Sequence, residues 1–209
     1  YFLLKSSNQI AKEKGPCDYF HRTKYADGLL PIDTYKKDVD EVVAVKKYNY
    51  DWANLRSNIK THGLRHSTLS AQMPSESSSV VSNATNGIEP PRGYLSVKKS
   101  KKGPLKQIVP QYNTLKNHYT LLWDMPSNEG YINIVATMQK FFDQAISGNW
   151  SYNPTHYENN EVPMSVMIQD LLNTYKYGWK TSYYQNTYDY KTDPSELEDE
   201  APKVELPPG

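Results

Sequence analysis

The chain has 209 residues, of which 37% are apolar, and a formal net charge of +1 at pH 7. This length suits one domain of ordinary size, and so small a net charge gives no argument for direct binding to nucleic acid. The lone cysteine, Cys17, excludes an internal disulfide and a cysteine-rich zinc site. With no apolar run of about 18 residues and no signal peptide, the composition predicts a cytoplasmic protein without membrane contact.

The N-terminal segment opens inside a helical pattern. Apolar residues between Phe2 and Ala11 predict the last turns of a helix that Gly15 and Pro16 end. Because this pattern starts in mid-helix and without an initiator methionine, we expect further chain upstream. A short helix is predicted over 19–28, and 29–34 is predicted to be an apolar loop or a short strand.

The next segment contains two helix signals and one strand signal. Asp51 is a good N-cap for a helix that ends before Gly63. Alternation of apolar and polar residues predicts a strand over 67–73, which Pro74 stops. The serines of 75–79 then predict the start of another helix, because serine caps helices well.

The middle of the chain predicts a hairpin followed by a helix. Tyr94–Lys98 and Leu105–Val109 alternate as antiparallel strands joined across 99–103. Asn113 is predicted to cap a helix that turns Leu115, Tyr119, Leu122 and Trp123 inward.

Two long helices are predicted in the C-terminal third. The first covers 131–147 and is the most regular apolar pattern of the chain. The second begins at Pro163, which suits the first position of a helix, and ends near Gly178. A short strand is predicted over 180–186. The second helix is predicted to bury six residues: Met164, Met167, Ile168, Leu171, Leu172 and Tyr175.

These elements predict a mixed α/β fold class over residues 1–190. Six acidic residues, one lysine and several prolines follow within 192–209, which predicts an acidic, proline-rich flexible tail over 191–209. Without residues 192–209, whose net charge is −5, residues 1–191 carry a net charge of +6, which suits a phosphorylated substrate or an acidic partner.

Two stretches could bind an anion. Pro74–Ser79 combines a proline turn with a serine-rich helix start, whose free N–H groups and hydroxyls favour phosphate. The alternative is that these serines only cap the helix. In Asn83–Arg92, Glu89 and Arg92 flank a rigid Pro-Pro, and Arg92 could pair with phosphate or a carboxylate. The alternative there is a structural loop with a buried ion pair.

A third stretch could carry a radical. Tyr183 and Tyr184 are adjacent in the predicted last strand, where neighbouring side chains point to opposite faces. Their rings can stack only if the backbone leaves the regular pleat. A phenol has a pKa of about 10 and sheds its proton on oxidation, so a tyrosine pair could pass an electron and a proton together. The alternative is two ordinary strand residues.

Histidine and cysteine residues predict no metal site. His62 and His66 have helical spacing, but Gly63 is predicted to end the helix between them.

Several ordered motifs resemble the large subunits of class I ribonucleotide reductases. The resemblance runs from about residue 15 to 190. Its segments are Leu30–Asp38, Lys60–Arg65, Ser67–Ala71, Met73–Glu76, Asn83–Arg92, Met138–Phe141 and Tyr183–Thr187.

The resemblance implies a fold and a set of roles. The chain would be the C-terminal part of a ten-stranded α/β barrel, incomplete without the upstream chain. The residues matching the family's diphosphate-binding loop are Pro74, Ser75, Glu76, Ser77 and Ser78, and Arg92 lies in a matching active-site segment. Tyr183 and Tyr184 match a stacked pair that relays a radical from the small subunit to a catalytic cysteine.

The same resemblance implies what must come from elsewhere. The thiyl-forming cysteine, the two redox-active cysteines and the specificity site belong upstream of Tyr1, and Cys17 is not in the matching context. No cofactor is expected to bind directly; activity would depend on a metal-radical cofactor in the small (beta) subunit and on reductants of the thioredoxin or glutaredoxin type. Expected partners are the upstream fragment, the small subunit and a ribonucleoside diphosphate.

Three interpretations remain open from the sequence. The chain is one piece of a catalytic subunit made in two parts, a truncated form of a full-length subunit, or a non-catalytic fragment that binds nucleoside diphosphate or the small subunit. Tyr183→Phe separates catalysis from binding alone, because it should abolish radical transfer and leave binding near normal.

Overall fold

A computed structural model describes residues 1–43, 48–100 and 103–190. The α/β class is confirmed, and the tail predicted over 191–209 lies outside the described residues. The helices are α1 (Phe2–Lys14), α2 (Pro31–Thr34), α3 (Trp52–His62), α4 (Glu76–Val81), α5 (Tyr112–Leu115), α6 (Glu129–Gln139) and α7 (Met164–Tyr177). The strands are β1 (Leu95–Ser100), β2 (Gly103–Ile108), β3 (Ser147–Tyr152) and β4 (Thr181–Thr187).

The chain divides into two compact units. The first comprises Tyr1–Met73, Glu129–Gly148 and Gln169–Ser182. The second comprises Pro74–Asn128, Asn149–Ile168 and the residues from Tyr183 onward. The described strands form two separate two-stranded sheets, β1 with β2 and β3 with β4, and no closed barrel.

The predicted helices α1 and α3 are confirmed, and they contribute Leu4, Leu55 and Ile59 to the core of the first unit. The Asp51 carboxylate accepts a hydrogen bond from the Asn54 N–H at 2.9 Å, so the predicted N-cap of α3 is confirmed. Leu55 and Ile59 face the core. The Asn8 side chain of α1 donates to the Gly63 carbonyl at 2.8 Å, which ties the end of α3 to α1.

Two segments before α3 differ from the prediction. Residues 31–34 form the short helix α2, where the sequence predicts a loop or strand; Pro31 supplies a helical φ at its first position. The Asp33 carboxylate accepts the Leu30 N–H at 2.7 Å and pairs with Arg56 at 2.6 and 3.0 Å. The helix predicted over 19–28 is reduced to a 3-10 turn at Phe20–Arg22.

The strand predicted over 67–73 is wrong, since the described structure contains only an isolated parallel bridge between Gln72 and Ile146 there. The side chain of Asp143 explains why no strand forms at this segment. The Asp143 carboxylate accepts the N–H groups of Leu69 at 2.8 Å and Ser70 at 2.9 Å. These donors are therefore bound by a carboxylate where a strand would offer carbonyls.

Helix α6 ends at Gln139, eight residues before the predicted end at Ser147. The Gln139 side chain donates to the Gln144 carbonyl at 2.8 Å and accepts the Ile146 N–H at 3.0 Å, which turns the chain back. Lys140 is fully buried and pairs with Asp40. The apolar periodicity of the sequence does not predict these contacts of Gln139 and Lys140.

The hairpin of the second unit is confirmed. β1 and β2 are antiparallel, with Leu95 opposite Ile108 and Ser100 opposite Gly103, so both strands reach further into the turn than predicted. The helix predicted from Asn113 is wrong, because α5 stops at Leu115. It begins after Gln111, whose backbone is left-handed (φ 52°).

Helix α7 has the predicted bounds, but most of the residues predicted to be buried are exposed. It follows Pro163 and ends before Gly178, whose φ is 82°. Its buried residues are Asp170 and Thr174. The described residues leave its apolar face uncovered: Met164, Ile168, Leu171, Leu172 and Tyr175 are all exposed.

The strand predicted over 180–186 is confirmed as β4. Just before it, Trp179 is buried and donates its indole N–H to the Ile146 carbonyl at 2.7 Å. A Cβ at Gly148 would lie 2.6 Å from both the Trp179 ring and the Tyr131 hydroxyl. Only glycine fits at this point of β3 without displacing an aromatic ring.

Candidate functional site

A cavity of about 1210 Å³ lies wholly within the second unit. Four of the predicted site residues contribute to its wall: Pro74, Arg92, Tyr183 and Tyr184. Glu89 and Asn149 line it as well. The fold therefore brings Pro74, Arg92 and the tyrosine pair to one cavity, although the tyrosines are about a hundred positions away in the sequence. Ser75, Ser77 and Ser78 do not line this cavity.

The predicted phosphate loop forms as a turn followed by α4. The Ser75 N–H donates to the Asn86 carbonyl at 2.7 Å, which holds the loop against the Asn83–Arg92 segment. The Ser78 hydroxyl donates to the Ser75 carbonyl at 2.7 Å, whereas the Ser75 side chain makes no capping hydrogen bond. Ser77 is exposed, and the helix begins at Glu76. The Ser78 hydroxyl is thus bound inside the first turn of α4, and the N-terminus of this helix has no side-chain cap.

Arg92 is exposed at the cavity wall. Its guanidinium carbon lies 5.8 Å from the centre of the Trp123 ring, within the range of a cation–π contact. The Leu122 N–H donates to the Pro91 carbonyl at 2.9 Å, so the same segment holds Trp123 and Arg92 together. The predicted alternative of a buried Glu89–Arg92 ion pair is wrong, because the Glu89 carboxylate is bound by Asn149 and Arg92 is exposed.

The two tyrosines of β4 approach each other closely. Their ring centres are 4.3 Å apart and the ring planes are tilted by 58°. Tyr183 is 53% exposed and Tyr184 is 59% exposed. Aromatic pairs favour centroid distances of about 4.5–7 Å, so these rings are in contact although they are neighbours on a strand. The rings are tilted, whereas the resemblance implies parallel stacking.

Asn149, which the sequence did not single out, and Glu89 connect the parts of this site. The Tyr184 N–H donates to the Asn149 side-chain carbonyl at 3.1 Å, and the Asn149 amide donates to Glu89 Oε1 at 3.3 Å. Asn149 carried no local signal, because its partners lie 35 and 60 positions away in the sequence. Glu89 carried one, since it flanks the Pro-Pro beside Arg92.

Ionisable groups with shifted pKa lie in the first unit, outside the cavity. Hydrogen bonding to Arg56 lowers the pKa of Asp33, and hydrogen bonding to Lys140 lowers that of Asp40. Burial would raise the pKa of Asp143, but hydrogen bonds from Ser70, Tyr25 and Leu69 outweigh it and hold that pKa low. These interactions stabilise the first unit.

Among the described residues no three His, Cys, Asp or Glu side chains are placed to hold a metal ion. None of the described helices combines the length and the hydropathy that crossing a bilayer requires.

Comparison with known proteins gives one consistent result. A family model described as the barrel domain of ribonucleotide reductase matches residues 1–185. The chain is 59% identical over 189 residues to ribonucleoside-diphosphate reductase 1 subunit alpha of Escherichia coli, covering 90% of this chain and 25% of that protein. The Salmonella typhimurium counterpart is 57% identical over 205 residues, covering 98% and 26%. The alpha subunit of enterobacteria phage T4 is 47% identical over 201 residues, covering 95% and 26%. The chain thus spans about a quarter of the length of these relatives.

Proposed function

The chain belongs to the ribonucleotide reductase barrel-domain family, and we propose that it works as the C-terminal portion of the large, catalytic subunit of a ribonucleoside-diphosphate reductase. This oxidoreductase converts ribonucleotides to deoxyribonucleotides. One observation carries the proposal: a single cavity is lined by Pro74 and Arg92 and by the Tyr183–Tyr184 pair. Substrate binding and radical delivery would therefore meet within the second unit.

Binding of the substrate diphosphate is assigned to the segment Pro74–Ser78 with Arg92. Exposed Ser77 offers a hydroxyl donor, and Ser75 keeps its side chain free of a capping role. Arg92 supplies positive charge at the cavity wall, where a planar guanidinium can bind phosphate oxygens in a bidentate way. Glu76 belongs to the same family loop.

Radical relay is assigned to the tyrosine pair. When a phenoxyl radical on one ring takes a hydrogen atom from the other, one O–H bond forms and one breaks, so the electron and proton move together. Ring centres 4.3 Å apart leave no residue between the two phenols. The radical itself would originate at the metal-radical cofactor of a small subunit.

The remaining parts of the reaction are assigned to the upstream part of the subunit and to separate reductant proteins. The upstream part of the subunit would complete the ten-stranded barrel and supply the thiyl-forming and redox-active cysteines. Reductants of the thioredoxin or glutaredoxin type would restore those cysteines after each turnover. The apolar face of α7 supports an upstream partner, because so many exposed apolar side chains on one helix are typical of an interaction surface.

The test uses the full-length subunit combined with its small subunit. Tyr183→Phe and Tyr184→Phe each remove one phenol and keep the ring, so we expect deoxynucleotide formation to be abolished while nucleoside diphosphate binding changes less than twofold. Tyr19→Phe is the matched control, because Tyr19 is exposed and lies in the first unit. Full activity in both β4 variants would leave only a binding role for this part of the chain.

The diphosphate assignment has its own test. Ser77→Ala removes one hydroxyl donor, and a hydrogen bond to a charged group contributes about 1.5–3 kcal/mol. We expect the KM for nucleoside diphosphate to rise about 10-fold to 100-fold with kcat little changed. Ser82→Ala is the control, since the Ser82 hydroxyl caps α4 by donating to the Ser78 carbonyl at 2.9 Å.

A further inference from the structure

The N–H of Tyr184 is bound by a side chain. In a regular ladder, a strand N–H donates to a main-chain carbonyl of the neighbouring strand. Here the Tyr184 N–H donates to Oδ1 of Asn149, a residue of β3, at 3.1 Å. A side-chain acceptor of this kind competes with the backbone ladder. It acts at the residue whose ring centre lies 4.3 Å from that of Tyr183.

The orientation of the Asn149 amide is determined by its other partner. A carboxylate can only accept hydrogen bonds, whereas a carboxamide has one accepting and one donating end. Because Glu89 Oε1 lies 3.3 Å from the Asn149 nitrogen, the amide must point its NH₂ group at Glu89. Its oxygen is then directed at Tyr184. Glu89 therefore fixes which end of the amide meets the tyrosine backbone.

The burial of the second carboxylate oxygen of Glu89 does not stabilise the fold. Oε2 is buried and accepts no hydrogen bond from the residues that the structure describes. Burying a polar atom without a partner destabilises a fold. A functional role is one of the explanations for such a group in a native structure.

We infer that Glu89 and Asn149 are positioning residues for the tyrosine relay: Glu89 orients the Asn149 amide, and Asn149 holds the backbone at Tyr184 so that the two rings stay in contact. This inference rests on the proposed function. It adds two residues to the relay, neither of which carries the radical.

The experiment uses the full-length subunit with its small subunit and varies the two positioning residues separately. Glu89→Met keeps the side-chain length and removes the acceptor, and Asn149→Ala removes the link itself. A misplacement of about 1 Å in reacting groups can cost on the order of 100-fold in rate. We expect kcat to fall about 10-fold to 100-fold in both variants, with the KM for nucleoside diphosphate within twofold of the wild type.

Rescue separates positioning from a general structural role. Glu89→Gln restores a carbonyl acceptor for the Asn149 amide, so kcat should return to within about threefold of the wild type. Glu158→Gln, the same change at an exposed residue of the second unit, should have no effect. Circular dichroism checks that each variant is folded. If Glu89→Met does not fold, the kcat of Asn149→Ala alone tests the inference.

Two outcomes would overturn the inference. In the first, Glu89→Met or Asn149→Ala, correctly folded, keeps the wild-type kcat. In the second, KM rises while kcat stays constant, which would place these residues in substrate binding. If Tyr183→Phe and Tyr184→Phe are themselves fully active, the relay proposal fails instead, so the two failures are distinguishable.

Discussion

The apolar face of α7 leads to a quantitative prediction about assembly. Leu171 is 52% exposed and Leu172 is 55% exposed, so about half of each side chain is available for burial against a partner. Complete burial of a leucine side chain contributes about 1.5–3 kcal/mol. Burial of the exposed half of each side chain therefore contributes roughly 1 kcal/mol to association, or about 2 kcal/mol for the pair.

The perturbation is the double change Leu171→Ala with Leu172→Ala. If the upstream part of the subunit covers α7, a loss of about 2 kcal/mol weakens the association of the two parts roughly 30-fold. The assay is isothermal titration of this chain with the separately produced upstream part. Leu95→Ala with Leu105→Ala is the matched control, because both leucines are exposed on the hairpin. A Kd within twofold of the wild type for the α7 variant would refute the reasoning.

The other predictions concern the stability of the first unit and are measured by thermal and urea unfolding. Asp40→Ala leaves buried Lys140 without its partner, so we expect a loss of about 3–5 kcal/mol, and Asp40→Ala combined with Lys140→Met should recover most of it. Gly148→Ala places a Cβ 2.6 Å from the Trp179 ring, which should destabilise the protein by about 1–3 kcal/mol; an unchanged midpoint would show that the ring moves freely. Hydrogen bonds lower the pKa of Asp143, so its contribution is present above the unfolded pKa of about 3.9 and is lost as the pH falls through the folded value. The difference in stability between the wild type and Asp143→Asn should therefore be largest near neutral pH and shrink below about pH 4.

Elements with local start and stop signals could be predicted from the sequence. Asp51 and Gly63 bound α3, and the alternation on either side of the turn residues defines the hairpin. Each of these signals depends on residues within a few positions of the feature that it predicts. For the same reason the bounds of α7 were correct, since Pro163 and Gly178 are local signals.

Elements decided by distant side chains could not be predicted. The missing strand at 67–73 depends on Asp143, which lies 74 positions from Leu69. The residue that follows α6, Lys140, pairs with Asp40, which is 100 positions away. An amphipathic pattern such as that of α7 shows that a helix has an apolar face, but it does not identify what covers that face.

The candidate site was predicted in part. Residue type left two interpretations open for the tyrosine pair and for the serine loop, and only the family resemblance favoured radical relay and phosphate binding; these roles stay predictions. The sequence did not give the distance between the rings or the tilt of their planes. We infer that they depend on Asn149, an ordinary polar residue in the sequence whose partners lie 35 and 60 positions away.

The carboxylate of Asp143 has a consequence for how the chain behaves before it is fully assembled. Free N–H groups along an extended segment are a template on which another chain can add a strand, and this is a common origin of aggregation. Asp143 accepts the N–H groups of Leu69 and Ser70 from within the same molecule, and Ser70 also donates its hydroxyl to that carboxylate at 3.1 Å. A negative charge now occupies the position where an intruding strand would have to dock. Once the first unit has folded, these two N–H groups are therefore not available to a strand of another chain.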